Sequence, residues 1–340
     1  MTRVLVAGLV AMLISIVAGP KFIEFLRRNE LGQHIRAEGP EGHVLKQGTP
    51  MMGGILIMVT TAIAFLALSH YTLRALTVLF VTLGCAAIGF VDDFFKLTHR
   101  RSLGLAGRWK LLLLGLITVG VGYAAHRAGL PHRTSLFVPV ANVRIPLSDL
   151  WYPFLFLVIA GAANGVNLAD GLDGLAAGTG IIAVFTFTAM SVIAYIRSSP
   201  NHPGLRDASK LDLAILGAAL IGGSIGFLWY NAFPAEVFMG DTGAMGIGGA
   251  LAGFAIMTKT ELLLLLIGGI FLVEALSVMI QVFTFKYLGR RLFLMTPIHH
   301  HFEMKAWSET KIMVRFWIAC AILCAAGFAF YYRYYSHFRI

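Results

Sequence analysis

Five aspartates lie at the ends of apolar stretches, where a carboxylate is costly unless it is paired, hydrated or bound to a cation. Hard divalent cations take oxygen ligands, and Mg²⁺ usually binds one or two carboxylates together with substrate phosphate. The chain has only 17 acidic residues in all, so this placement predicts a cation site that faces a phosphate-bearing ligand. The five residues are Asp92, Asp93, Asp170, Asp173 and Asp241.

The first pair, Asp92 and Asp93, is adjacent in sequence, so on a helix the two side chains point about 100 degrees apart and serve different partners. One carboxylate is expected to face the ligand while its neighbour orients another group. Lys96 follows Asp92 by four residues, and a plain ion pair between the two on the helix surface is the alternative interpretation.

A second polar segment has a hydrogen-bonding side chain at every third position. Consecutive members lie close together on a helix, although the row drifts around it. Glycines at 171 and 174 are expected to loosen or end the helix so that backbone and carboxylates can approach a ligand. The asparagines can instead hydrogen-bond between packed helices. The row consists of Asn164, Asn167, Asp170 and Asp173.

The third motif is Gly240-Asp-Thr-Gly243, at the start of an apolar stretch. A helix that begins here offers free backbone N–H groups and a positive dipole end to phosphate, and Asp241 is placed to hold a divalent ion on that phosphate. The lysines Lys46, Lys96 and Lys110 suit a metal-bridged diphosphate. A Walker motif for ATP is absent from the sequence.

Three consecutive histidines, His299, His300 and His301, are not spaced as helical metal ligands, because consecutive side chains splay apart. Their rings either hydrogen-bond a phosphate or diphosphate or simply lie at the membrane interface. Glu274 lies deep in an apolar stretch and needs a partner there, in a role of packing or of function.

These motifs alternate with ten apolar stretches that are candidate membrane helices, so we expect an all-α, polytopic membrane protein with about ten transmembrane helices and a single domain over residues 1–340. The composition agrees, with 58% hydrophobic and 13% charged residues. The ten candidate spans are Val4–Pro20, Met51–Leu68, Ala75–Val91, Leu111–Ala125, Leu150–Ala163, Leu175–Ile196, Leu213–Tyr230, Thr242–Met257, Leu262–Phe285 and Phe316–Tyr332.

Nearly every unusual polar motif falls in alternate connections between these ten spans, and a chain that reverses at each connection places those motifs on one face of the membrane. Lys21, Arg27 and Arg28 directly follow the first span, which fixes that end in the cytoplasm if positive charge stays inside. A cleaved secretory signal is the alternative for this span. The net charge of +10 suits contact with anionic membrane lipid, and because the basic residues are scattered over short loops, we expect no nucleic-acid partner. The cysteines, all within apolar spans, imply no disulfide or thiolate metal site.

Taken together, five motifs resemble the polyprenyl-phosphate N-acetylhexosamine-1-phosphate transferase family over essentially the whole chain. The aspartate motifs are shared by the wider family, whereas the triple histidine and the Lys46 motif resemble its muramoyl-pentapeptide branch. The motifs are Lys46–Gly54, Asp92–Lys96, Asn164–Gly174, Asn231–Gly243 and Pro297–Glu303.

The resemblance implies transfer of phospho-N-acetylmuramoyl-pentapeptide from UDP-N-acetylmuramoyl-pentapeptide to undecaprenyl phosphate, which yields lipid I and UMP. It also implies Mg²⁺ as cofactor, ten membrane helices that often form a homodimer, and an active site on the cytoplasmic face of the bacterial inner membrane. Asp241 resembles the main Mg²⁺ ligand, and Asp92 and Asp93 the pair that binds metal or activates the acceptor. Further residues resemble those that bind the nucleoside or lie near the diphosphate, namely Lys46, Lys110, Asn167, Asp170, Asp173, Asn231, Phe238 and His300.

Two other functions compete with this one. A related transferase would move N-acetylglucosamine-1-phosphate with the same aspartates. A membrane transporter would place charged residues at mid-membrane depth along a pathway, often within an inverted repeat, whereas here Glu274 alone is clearly central.

Overall fold

The computed structural model describes residues 1–29, 48–98, 104–130 and 132–335. Over these ranges the chain is almost entirely helical, which confirms the all-α class. A short antiparallel hairpin of β1 (Ser135–Val138) and β2 (Val143–Pro146) is the exception there. The α-helices are α1 (Thr2–Arg28), α2 (Gly54–Leu68), α3 (Leu73–Thr98), α4 (Gly107–Arg127), α5 (Trp151–Ala169), α6 (Leu175–Ser198), α7 (Ala208–Asn231), α8 (Gly240–Met257), α9 (Leu264–Ile267), α10 (Gly269–Leu288), α11 (Ile298–Glu303) and α12 (Glu309–Phe330).

Eight of these helices are long and apolar enough to cross a membrane, so the chain fits a multi-pass membrane protein. The helices α2 and α8 are shorter, with 15 and 18 residues, and the number of ten crossings stays a prediction. The eight helices are α1, α3, α4, α5 with the turn before it, α6, α7, α10 and α12 with the turn after it.

The ninth candidate span, Leu262–Phe285, is divided in the structure. A short helical turn and α9 precede a break at Gly268, after which α10 starts at Gly269. The pair of glycines explains the break, because glycine is a weak helix former with a large backbone entropy cost. The chain then continues beyond the predicted end to Leu288.

The centre of the bundle is α8, whose 18 residues are all buried. It packs most extensively along α3 and also contacts α2, α5 and α6. Its glycines make this possible: a Cβ on Gly248 would lie 2.4 Å from the carbonyl oxygen of Ala162, and one on Gly249 would lie 2.8 Å from the Cys85 side chain. Small residues therefore bring the helices together, as expected for membrane bundles.

Successive long helices alternate in direction, so the C-termini of α3, α5 and α7 meet the N-termini of α4, α6 and α8. We call this the site end, because hydrogen bonds join these termini there. At the opposite end, the buried Asp212 of α7 accepts hydrogen bonds from the backbone N–H groups of His70 and Thr72, at 2.9 and 3.0 Å. Lys259 anchors the hairpin at that end through the carbonyl of Ser135.

Candidate active site

The side chain of Asp93 caps the start of α8 from the end of α3. It accepts hydrogen bonds from the backbone N–H groups of Asp241 and Thr242, at 3.1 and 2.9 Å, and from the Thr242 hydroxyl at 2.7 Å. A carboxylate at a helix N-terminus satisfies donors that have no partner within the helix and interacts favourably with the helix dipole. Asp93 thus fixes the position at which Asp241 enters the site.

The neighbouring Asp92 points elsewhere, as the sequence predicted. Its carboxylate lies 2.7 Å from the Lys96 ammonium and 3.0 Å from that of Lys110, and it accepts a hydrogen bond from the backbone N–H of Leu105. The ion pair with Lys96 that was considered from the spacing is therefore present. It is part of a larger cluster, because Lys110 joins it from the first turn of α4.

Asp241 completes the cluster, since its two carboxylate oxygens lie 2.9 Å from the ammonium groups of Lys96 and Lys110. One carboxylate oxygen from each of Asp92, Asp93 and Asp241 can be chosen so that all three lie within 4.8 Å of one another. Three convergent carboxylates are the ligand type that hard divalent cations take. The donor set therefore fits the expected cation, and the two lysines offset most of its negative charge.

The loop between α5 and α6 brings Asp170 and Asp173 to the same end. Asp170 accepts a hydrogen bond from the backbone N–H of Gly240. Burial, together with the nearby charges of Asp241 and Asp93, raises the pKa of its carboxyl to about 8. Asp173 accepts a hydrogen bond from the backbone N–H of Ala235 at 3.0 Å. The loop is thereby attached to both sides of the segment that leads into α8.

Asn231, at the end of α7, joins this loop to the segment that carries Phe238. Its side chain accepts a hydrogen bond from the Gly174 N–H at 3.0 Å and donates one to the Val237 carbonyl at 2.9 Å. The Phe238 backbone is held in turn by Pro50 and Gly53, at 2.8 and 2.9 Å. The half-buried Phe238 ring is thus presented at the site end by a doubly anchored backbone.

Two of the predicted residues are placed differently from this group. The Asn164 side chain donates a hydrogen bond to the Ala160 carbonyl of its own helix at 2.8 Å, which is the local role that polar side chains often take in membrane helices. Asn167 accepts the N–H of Asp170 through its backbone carbonyl. Lys46 lies outside the described residues.

The three histidines belong to α11 and have different hydrogen-bond partners, although the rings of His299 and His300 lie close together, with 4.1 Å between their centroids. The buried His299 faces Glu274, with 3.1 Å between Nδ1 and Oε1, whereas His300 is hydrogen-bonded to Glu303. The ring of His301 accepts the N–H of Leu294 at 3.2 Å. The three histidines thus hydrogen-bond to three separate groups, and His299 supplies the partner that Glu274 needed.

Two residues that complete these contacts were missed from the sequence. Thr242 lies inside the recognised Gly240–Gly243 motif, and its position one residue after Asp241 at a helix start was a usable signal for a hydroxyl at the cap. Glu303 follows His300 by three residues, which is a contact distance on one helix face.

The long apolar helices, with a charged cluster at one end of the bundle, are those of a multi-pass membrane protein. Residues 75–259 match the model of glycosyl transferase family 4, which makes this protein a membrane transferase. Relatives that are called phospho-N-acetylmuramoyl-pentapeptide-transferase match almost the whole chain. Identity is 43% with that of Rubrobacter xylanophilus over 98% of both chains. It is 42% with that of Desulfitobacterium hafniense over 95% of both. It is 45% with that of Desulforamulus reducens over 96% of this chain and 95% of the relative.

The chain therefore belongs to glycosyl transferase family 4 and, within it, to the family of the phospho-N-acetylmuramoyl-pentapeptide-transferases.

Proposed function

We propose that the chain transfers phospho-N-acetylmuramoyl-pentapeptide from UDP-N-acetylmuramoyl-pentapeptide to undecaprenyl phosphate, with lipid I and UMP as products and Mg²⁺ as cofactor. The observation that carries this proposal is the convergence of Asp92, Asp93 and Asp241 with Lys96 and Lys110 at one end of the bundle. The names of the relatives supply the transferred group, phospho-N-acetylmuramoyl-pentapeptide. The site end faces the cytoplasm of a bacterial inner membrane in this proposal.

In the proposed mechanism, Asp241, Asp92 and Asp93 would hold the divalent ion. When bound, the ion would stabilise the negative charge of the diphosphate and of the departing UMP. Asp93 contributes in addition as the cap that orients Asp241. Lys96 and Lys110, which now neutralise the carboxylates, are placed to bind phosphate oxygens.

Phosphoryl transfer depends mainly on positioning and charge stabilisation. The attacking lipid phosphate is already largely anionic at pH 7, since the second pKa of a phosphate ester is about 6. Asp92 therefore has only to position this nucleophile or to accept its remaining proton. A direct displacement and a covalent phosphoenzyme are both compatible with these residues, and rapid-quench trapping of a phosphoenzyme distinguishes them.

The UDP moiety is proposed to bind beside the cluster. In this proposal the Phe238 ring stacks on uracil. It does so beside the loop that Asp170, Asp173, Asn167 and Asn231 form or support. We further propose that Asn164, Lys46, His299, His300 and His301 contribute to substrate binding, with His300 near the diphosphate, and that the enzyme forms a homodimer.

The decisive experiment uses purified protein with UDP-N-acetylmuramoyl-pentapeptide, undecaprenyl phosphate and Mg²⁺, and measures UMP. We expect UMP and a lipid-linked product in equal amounts. Turnover with UDP-N-acetylglucosamine but not with the muramoyl substrate would instead identify the related transferase. Substrate flux into sealed vesicles without UMP release would identify a transporter.

A further inference from the structure

A buried carboxylate and a buried imidazole form a pair at the site end, outside the aspartate cluster. The Glu274 side chain, on α10, and the His299 side chain, on α11, are both fully shielded from solvent, and 3.1 Å separates Glu274 Oε1 from His299 Nδ1. A carboxylate at this distance fixes the imidazole, because Nδ1 must carry the proton that it shares with the carboxylate. The pair therefore sets both the orientation and the tautomer of the ring.

The other polar atom of the ring, Nε2, is buried and has no hydrogen-bond partner among the described residues. An unpaired buried polar atom costs about 1–3 kcal/mol, so such atoms are rare away from functional sites. The same holds for Glu274 Oε2. Two apolar side chains could fill the space between α10 and α11 without leaving these two atoms unpaired, so packing alone does not explain why the pair is polar.

The direction of Nε2 connects the pair to the substrate loop. A Cβ on Gly171 would lie 2.3 Å from Nε2 and 2.8 Å from Cε1 of His299, so the backbone of Gly171 rests directly against the ring edge. On either side of Gly171, Asp170 is bound to the N–H of Gly240 and Asp173 to that of Ala235. A rotation of the ring would therefore displace the loop that carries both carboxylates.

We propose that Glu274 is a positioning residue that acts through His299: it locks the imidazole against Gly171 and so holds the Asp170–Gly174 loop in the conformation that binds the nucleotide sugar. This inference rests on the proposed function for the identity of the ligand. Glu274 itself touches no reacting group, so its loss weakens binding of the nucleotide sugar more than it slows the chemical step.

The test compares two substitutions at position 274. Glu274→Leu keeps the approximate size but removes the acceptor, and we expect the KM for UDP-N-acetylmuramoyl-pentapeptide to rise about tenfold while kcat changes less than about threefold. Glu274→Gln keeps an oxygen that can accept from Nδ1, and we expect its KM to stay within about threefold of the wild type.

A purely structural role predicts another pattern. Replacement of a buried charged pair by apolar residues is often neutral or stabilising, but loss of one partner of such a pair is destabilising. Loss of structure lowers the thermal midpoint and the active fraction, and it leaves the KM of the remaining folded enzyme unchanged. The ratio of the KM change to the kcat change in Glu274→Leu therefore separates the two roles.

The chain provides a matched control at the opposite end of the bundle. There Asp212, whose side chain is also fully buried, lies 3.1 Å from the Nδ1 of His70. Asp212→Asn should lower the thermal midpoint through its weakened hydrogen bonds to the α2–α3 turn, with no change in KM. If Asp212→Asn raises KM as much as Glu274→Leu does, the effect at Glu274 is not specific and the proposal is wrong.

A double-mutant cycle tests the route through the ring. In a His299→Gln background, Glu274→Leu should change KM less than about twofold, because the ring that Glu274 orients is gone. If the position-274 variants do not fold, Gly171→Ala tests the same contact from the loop side, because its methyl group pushes against Nε2; it should raise KM with little effect on kcat.

The outcomes separate this inference from the proposed function. Wild-type protein that releases no UMP from the muramoyl substrate overturns both. Wild-type turnover together with an unchanged KM in Glu274→Leu, or in Gly171→Ala where that variant is used, overturns the inference alone. Equal KM changes in the wild-type and His299→Gln backgrounds overturn the route through His299.

Discussion

Two lysines bridge the carboxylates that the proposed metal needs. Lys96 and Lys110 each lie within 3.0 Å of carboxylate oxygens of Asp92 and Asp241. Each ammonium group therefore competes with a divalent cation for the same oxygens. We therefore expect binding of the cation to release at least one lysine, which then becomes available to phosphate.

This competition predicts the behaviour of Lys110→Met. We expect the variant to bind Mn²⁺ or Mg²⁺ more tightly than the wild type when no substrate is present, by about threefold to tenfold, since one competing charge near the oxygens is removed. Its turnover should nevertheless fall. Calorimetric titration measures the affinity, and Lys286→Met, at the end of α10, serves as the control. Weaker metal binding in Lys110→Met would contradict the competition.

The Asp241 carboxylate carries the strongest prediction at the residue scale. Asp241→Asn removes one charged ligand but leaves the backbone N–H that Asp93 caps. We therefore expect a folded protein with less than about a tenth of the wild-type turnover at saturating Mg²⁺, because phosphoryl transfer depends on the bound charge. UMP release and the thermal midpoint are measured together. Turnover above that level would show that Asp241 is not required as a metal ligand.

Among single residues, the sequence was most informative where the chemistry is local. The divergence of Asp92 and Asp93 follows from helix geometry alone, and the structure has it. The bridge from Lys110 to Asp92 and Asp241 does not follow from any spacing, because those residues lie on three different helices. The pair of Glu274 and His299 could not be predicted from the sequence either, because the two residues lie on different helices.

At the scale of elements, the start of α8 depends on the close approach of two neighbouring helices. A Cβ on Gly89 would lie 2.2 Å from the carbonyl oxygen of Asp241, and one on Gly54 would lie 2.1 Å from the backbone nitrogen of Gly243. Both obstacles are backbone atoms, which cannot rotate away. The helices α2 and α3 thus hold the first turn of α8 from two sides.

Gly89→Ala should therefore force α3 and α8 apart at the site. We expect a loss of stability of about 1–3 kcal/mol, typical of overpacking, together with a strong loss of turnover. Thermal unfolding and UMP release provide the two measurements. Gly115→Ala is the matched control on α4, because a Cβ there meets nothing within 4 Å; equal losses in both variants would refute the explanation.

The elements themselves were predictable because long apolar runs in lipid must form helices. The glycines of α8 allow the close packing that small residues give in membrane bundles. The division of the ninth span at Gly268 was not predicted, since the hydropathy of the run continues across the break and hydropathy alone does not report where a helix ends. The hairpin of β1 and β2 is too short and too exposed to produce a clear pattern of alternation.

For the whole molecule, the alternation of helix direction places the cluster and the hairpin at opposite ends. This arrangement predicts which residues an impermeant reagent can reach. The native Cys85, Cys320 and Cys324 are all buried, so single introduced cysteines can act as reporters without much background. Leu205, 77% exposed, lies at the opposite end, and the exposed Glu236 lies at the site end.

With an impermeant maleimide on intact spheroplasts, we expect Leu205→Cys to react from outside and Glu236→Cys to react only after the membrane is opened. The expectation follows from Lys21, Arg27 and Arg28, which directly follow the first span and are expected on the cytoplasmic side. Reaction of both reporters from outside, or the reverse order, would contradict the proposed orientation. Immunoblotting of each variant before and after permeabilisation confirms equal amounts of protein.

The lysine bridges have one more consequence, for biogenesis. Three acidic groups brought together inside a membrane protein would repel one another during insertion, yet here the chain carries its own counterions on α3 and α4. The polypeptide therefore supplies from its own sequence two of the charges that stabilise this arrangement of carboxylates when the helices come together.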